Sequence, residues 1–198
     1  MTTGTEFGMT TTMKTMKRRM FLWVGVCAGL SLLAGCCAPW AKEESTPFER
    51  LRNGVAVRLD IARDVAWAKA QTGAPVLDVE REKAVLAALV KQGEAAGLER
   101  ARVERFFSAQ IAASREVQTE LLAAWAAGTA ERPKTKPLDL KTQIRPRLDA
   151  VGTELIAALA EVPVGNDGWT AGAREAMRRA LLRRGFSEAV SWLAAEGL

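Results

Sequence analysis

The sequence has no histidine and no tyrosine. The first absence excludes histidine general-base catalysis, histidine-ligated zinc and serine–histidine nucleophile pairs. Cysteine is nearly as scarce. The three present, Cys27, Cys36 and Cys37, all precede Ala38, so the rest of the chain has no thiol from which to build a disulfide framework. β-Branched and aromatic residues are sparse, and no segment reads as a convincing strand or as an internal repeat. Alanine, leucine, glutamate and arginine dominate instead, a composition that favours helices. Nearly half the residues are hydrophobic, enough for a real core, and 198 residues suit one domain or one and a half.

The first 35 residues read as a targeting segment rather than as part of the fold. Lys14, Lys17, Arg18 and Arg19 form a basic stretch, followed by the apolar run "MFLWVGVCAGLSLLAG", which is short for a membrane span. The run ends in "LAGC", Leu33 to Cys36, which resembles the bacterial lipoprotein cleavage pattern. That resemblance implies cleavage before Cys36, a lipid on its thiol, and a soluble body tethered to a membrane. It gives a periplasmic or secreted location, with outer-membrane anchoring open. An ordinary cleaved signal with cysteines nearby by chance is the plainer alternative. "RRMFL" weakly resembles a twin-arginine export motif, and Met9, Met13 and Met16 are alternative starts. Removing residues 1–35 takes away four basic residues and Glu6, leaving 24 basic against 22 acidic, a net +2 in place of +5. The high pI is thus partly a targeting effect, and nucleic acid is not an expected partner.

Residues 36–47 read as a tether. A first helix is expected from Phe48 to Ala70, broken by "QTGAP". Asp78 is a good N-cap for a second helix, closed by Gly97. A third spans Glu99 to Ala127, with the apolar stripe Val103, Phe107, Ile111, Ser114, Gln118, Leu121, Trp125. After a Pro/Lys-rich connector, a fourth runs from Leu138 to about Ala160, with Pro146 in its first turns or kinking it. Its stripe is Ile144, Leu148, Val151, Leu155, Leu159. "VPVGNDGW" reads as a loop, and one or two last helices fill 171–196. The pattern describes an all-α helical bundle, with residues 48–127 forming its first part and residues 138–198 an additional C-terminal helical segment that completes it.

The first helix poses a problem. Its core-facing stripe reads Leu51, Val55, Arg58, Ala62, Val65, Lys69. Ser114 and Gln118 interrupt the third stripe in the same way. Residues eleven or four apart share a helical face, and a buried charge without a partner costs several kcal/mol. Snorkelling, or pairing with Asp78 or Glu82, would satisfy any one of these groups. Four on two stripes argue instead for an anionic ligand held among the helices.

Arg58, Lys69, Asp78, the pair Arg81-Glu82, Ser114 and Gln118 together resemble, in order and spacing, the active-site residues of the helical (type II) chorismate mutases. "PVLDVERE", Pro75 to Glu82, is especially similar to that family's loop and second helix. The resemblance covers about Phe48 to Leu122, and the leader and extra C-terminal helices look like the secreted, periplasmic subclass. It implies the rearrangement of the dianion chorismate to prephenate, with no cofactor and no metal, by a monomer or homodimer. By the same resemblance, Arg58 grips a carboxylate, while Lys69 and Gln118 donate to the ether oxygen. Asp78 and Glu82 bind the ring hydroxyl, Arg81 orients near a carboxylate, and Ser114 hydrogen-bonds one. The secreted subclass completes its site with an arginine from its own later helix; Arg147 is the candidate, with Arg145 the alternative. Two other classes stay open: a non-enzymatic helical envelope lipoprotein, and a module that binds small carboxylates without chemistry.

Overall fold

The computed structural model describes residues 45–163 and 171–198. The targeting segment, Cys36, most of the tether and the loop 164–170 lie outside the described residues. Six α-helices and one π-helical turn follow in chain order: α1 (Pro47–Thr72), α2 (Val79–Ala95), α3 (Arg100–Ala127), the π-helical turn Leu140–Ile144, α4 (Arg145–Glu161), α5 (Ala171–Arg183) and α6 (Glu188–Glu196). No strand occurs among the described residues.

Helix boundaries follow from local chemistry. Thr46 and Glu49 form a reciprocal capping box at the start of α1, with Pro47 in its first turn, so the tether ends one residue earlier than the sequence suggested. Gly73 ends α1 at φ 68°, a left-handed conformation that L side chains rarely adopt. Asp78 caps α2 as expected, its Oδ1 accepting from the Arg81 amide at 3.1 Å. Pro146 sits in the first turn of α4, the first of the two places the sequence allowed, where a missing N–H costs little. Before it, Asp139 accepts from the amides of Lys141 and Thr142 and anchors the π-helical turn.

The core is one continuous apolar cluster. Leu51, Val55 and Leu59 of α1 meet Phe106 and Phe107 of α3 and Leu155 and Leu159 of α4 within it. α1 packs on both α3 and α4, and α2 packs across the same two helices. α6 packs along α3, where the buried Gln110 donates from Nε2 to the Ala194 carbonyl at 2.8 Å. α5 rests on α6 and touches α1, and Arg63 of α1 lies 4.2 Å from the ring of Phe186. Burying this cluster is the dominant favourable term in folding. Its consequence for function is rigidity: α1, α2, α3 and α4 are held at fixed spacing around a hollow.

Candidate active site

That hollow measures about 530 Å³, a size typical of small-molecule sites. It lies where α1 from Arg58 onward, the 74–78 loop, α2, the middle of α3, the π-helical turn and the start of α4 converge. Arg58, Lys69, Asp78, Arg81, Glu82, Ser114 and Gln118 all line it. The seven positions singled out in the sequence are therefore brought together from three helices.

Arg58 is the outlier in energy. It is 5% exposed, its Nε is buried with no hydrogen-bond partner, and no hydrogen bond or ion pair to its guanidinium occurs among the described residues. Burial pushes it down to about 10, partly opposed by the charge of Asp149. It stays a cation throughout the physiological range. A guanidinium carries five donors, and here they border an open cavity.

The other polar groups have resting partners. Lys69 donates from Nζ to the Val76 carbonyl at 2.8 Å, so the loop caps it. Burial lowers its pKa, while the carboxylates of Asp78 and Glu82 work in the opposite direction. Ser114 Oγ donates to the Gln110 carbonyl one turn back, and Gln118 Nε2 to the Ser114 carbonyl at 2.9 Å. Nε2 has a second hydrogen to give, while the buried Gln118 Oε1 has no partner. Internal satisfaction, the bland reading of the sequence, thus holds for Lys69 and Ser114, covers only the amide nitrogen of Gln118, and fails for Arg58.

One expectation is corrected. Arg147 does not line the hollow; it pairs with Asp64 of α1 at 2.8 Å, about half exposed. Arg145 lines it instead. Both residues lie about 80° from the centre of the α4 apolar stripe, on opposite sides. Periodicity gives both angles but not which flank faces the hollow, and the hollow is on the Arg145 side.

Two charged lining residues were missed altogether. Arg115 pairs with Glu82 at 3.3 Å, linking α3 to α2. Asp149, one turn beyond Arg145 on α4, is the acidic group that acts on Arg58. Arg115 gave no signal of its own, since it lies about 100° round the helix from Ser114 and off the third stripe. A carboxylate in an anion site gives none either.

Chemically, the hollow presents fixed cations and amide hydrogens to a small anion, with apolar walls from Val65, Val85, Ile111 and Leu148. Pre-placed donors of this kind stabilise developing negative charge without reorganisation.

Comparison with known proteins agrees. The sequence model of the family Chorismate mutase type II matches residues 52–119. A secreted chorismate mutase of Mycolicibacterium smegmatis is 29% identical over 132 residues, covering 66% of this chain and 72% of that one. The crystal structure of chorismate mutase from Burkholderia thailandensis superposes with a TM-score of 0.65 at 32% identity, covering 77% of this chain and 97% of that one. The one from Burkholderia phymatum gives 0.66 at 28% identity, covering 76% and 92%.

Proposed function

The chain belongs to the type II chorismate mutase family and has that family's activity, and from that premise we propose that the reaction runs in the α1–α4 hollow, outside the cytoplasm. The substrate carries two carboxylates, a ring hydroxyl and an enol ether. The reaction is intramolecular: the C–O bond of the ether breaks as a C–C bond forms, with no group gained or lost. The enzyme's task is to hold the chain folded over the ring and to favour the transition state over the ground state.

The observation that carries this reading is Arg58, a buried guanidinium without a partner, beside Lys69 and Gln118 on one cavity. Arg58 would take a carboxylate in bidentate fashion, a geometry that lysine cannot offer. Lys69 would exchange the Val76 carbonyl for the ether oxygen and a neighbouring carboxylate. Gln118 would spend its second amide hydrogen on the ether oxygen, where negative charge grows as the bond breaks. Arg145 would hold the other carboxylate, and Glu82 and Asp78 the ring hydroxyl. Arg81 would orient near a carboxylate, and Ser114 would hydrogen-bond one. Relatives that are secreted chorismate mutases support export together with the leader's basic and apolar pattern, and Cys36 is the proposed lipidation point.

Purified residues 38–198 mixed with chorismate should consume its absorbance at a rate proportional to enzyme. Arg58→Ala and Lys69→Ala should lose turnover by orders of magnitude while keeping the helical circular dichroism of the parent. Binding without turnover in the parent would make the chain a carboxylate-binding module, and an inert parent with unfolded variants would make these residues structural. Mass spectrometry of the exported protein decides lipidation, an unmodified Cys36 or a different mature N-terminus removing the anchor.

A further inference from the structure

The hollow holds a group that works against its own ligand. Five cations line it, Arg58, Lys69, Arg81, Arg115 and Arg145, against three carboxylates, Asp78, Glu82 and Asp149. Two of the three carboxylates have structural employment. Asp78 caps α2, and Glu82 pairs with Arg115. The Asp149 carboxylate has no hydrogen bond and no ion pair among the described residues, and it is exposed to the cavity solvent. It sits one turn from Arg145 on the same face of α4, and its charge is felt by Arg58. An unpaired carboxylate beside the two arginines most suited to hold an anion weakens every anion that enters. Its effect on the total is to leave the lining at a formal net +2.

We propose that Asp149 is a specificity-determining residue that tempers the positive charge of the site and so weakens each ligand in proportion to its negative charge. This rests on the chorismate mutase reading, and it extends that reading from which groups bind to how tightly they are allowed to bind. A site at +3 would hold substrate more strongly. Because the reaction is an isomerisation, the product carries the same two charges and would be held more strongly too. Such uniform tightening does not lower the barrier from bound substrate, and it slows product release. Asp149 therefore discriminates against ligands of higher negative charge and keeps product exchange fast.

The test is the isosteric variant Asp149→Asn, at an exposed position where the fold has no stake. Dissociation constants are measured by calorimetry for benzoate, isophthalate and trimesate, rigid ligands of one, two and three negative charges. Electrostatic action at a solvated cavity wall predicts tightening by about threefold per ligand charge, so that trimesate gains roughly thirtyfold and benzoate only about threefold. Asp149→Glu should restore the parent's order, and added salt should shrink the differences. Product inhibition by prephenate should strengthen in the Asn variant along with a fall in KM. Equal change for all three ligands, or none, overturns the assignment. The ligand series needs no turnover, so the two readings fail separately. An inactive parent with a graded series removes the enzyme, and an active parent with a flat series removes the role of Asp149.

Discussion

Arg58 is a group the fold would be better without. Its guanidinium is desolvated, and no hydrogen bond to it forms within the described residues. Its depressed pKa means that this cost is present at every pH below the folded value and fades only as the pH rises toward the ordinary arginine range. Replacement by an apolar side chain of similar reach should therefore stabilise the empty protein while abolishing turnover. Arg58→Met is expected to gain about 1–3 kcal/mol, a rise of several degrees in Tm. Differential scanning calorimetry checks the first effect and the chorismate assay the second; a lowered Tm would mean that Arg58 has a structural partner. Lys69 and Gln118 make a second prediction at this scale. Gln118 donates in any protonation state of its neighbours, whereas Lys69 must carry its proton. Burial lowers Lys69, so kcat/KM should be flat through neutral pH and fall on the alkaline side, below the usual lysine range. Two substrate carboxylates then raise Lys69 again, so the limb in kcat should lie at higher pH than the limb in kcat/KM. Gln118→Glu should add an acid requirement, with a rate that falls as the pH rises through the carboxyl titration. Profiles for parent and variant that coincide at neutral pH would place Gln118 away from the ether oxygen.

At the scale of elements, the site depends on how closely the helices approach. Gly93 of α2 faces Val103 of α3, and a Cβ there would lie 2.5 Å from Val103 Cγ2. Val103 is fully buried and β-branched, so it has no alternative rotamer to retreat into. Gly93→Ala should push α2 from α3 at a cost of about 1–3 kcal/mol, visible as a lower denaturation midpoint. KM should rise as well, because α2 carries Arg81 and Glu82. Element boundaries were largely legible in the sequence for the same local reasons that fix them: Asp78 at one start, Gly73 and Gly128 at two ends. The π-helical turn was not, since nothing in "LKTQI" distinguishes five residues per hydrogen-bonded ring from four. Nor was the choice between Arg145 and Arg147, which depends on which flank of α4 meets α1 and α2. Asp149 was invisible for a different reason. Polar residues in an apolar stripe announce themselves, but an exposed aspartate announces nothing until the cavity beside it is known.

For the molecule as a whole, the proposed mechanism draws every group from one chain, with Arg145 of α4 among the lining residues. Specific activity should therefore be independent of enzyme concentration from nanomolar to micromolar, a range in which a shared site would fall apart on dilution. Initial rates across that range check it; a loss per molecule at the low end would show a subunit contributing. α6 reaches the site only indirectly, by burying the outer face of α3, the helix that carries Ser114 and Gln118, and α5 backs α6 in turn.

The hydrogen bond from Lys69 to the Val76 carbonyl has a thermodynamic consequence. An arriving ether oxygen, a weaker acceptor than the amide carbonyl it displaces, fills no empty place, so that exchange releases no net heat. Arg58 has no such bond to give up, and calorimetric titration should find the binding enthalpy concentrated there.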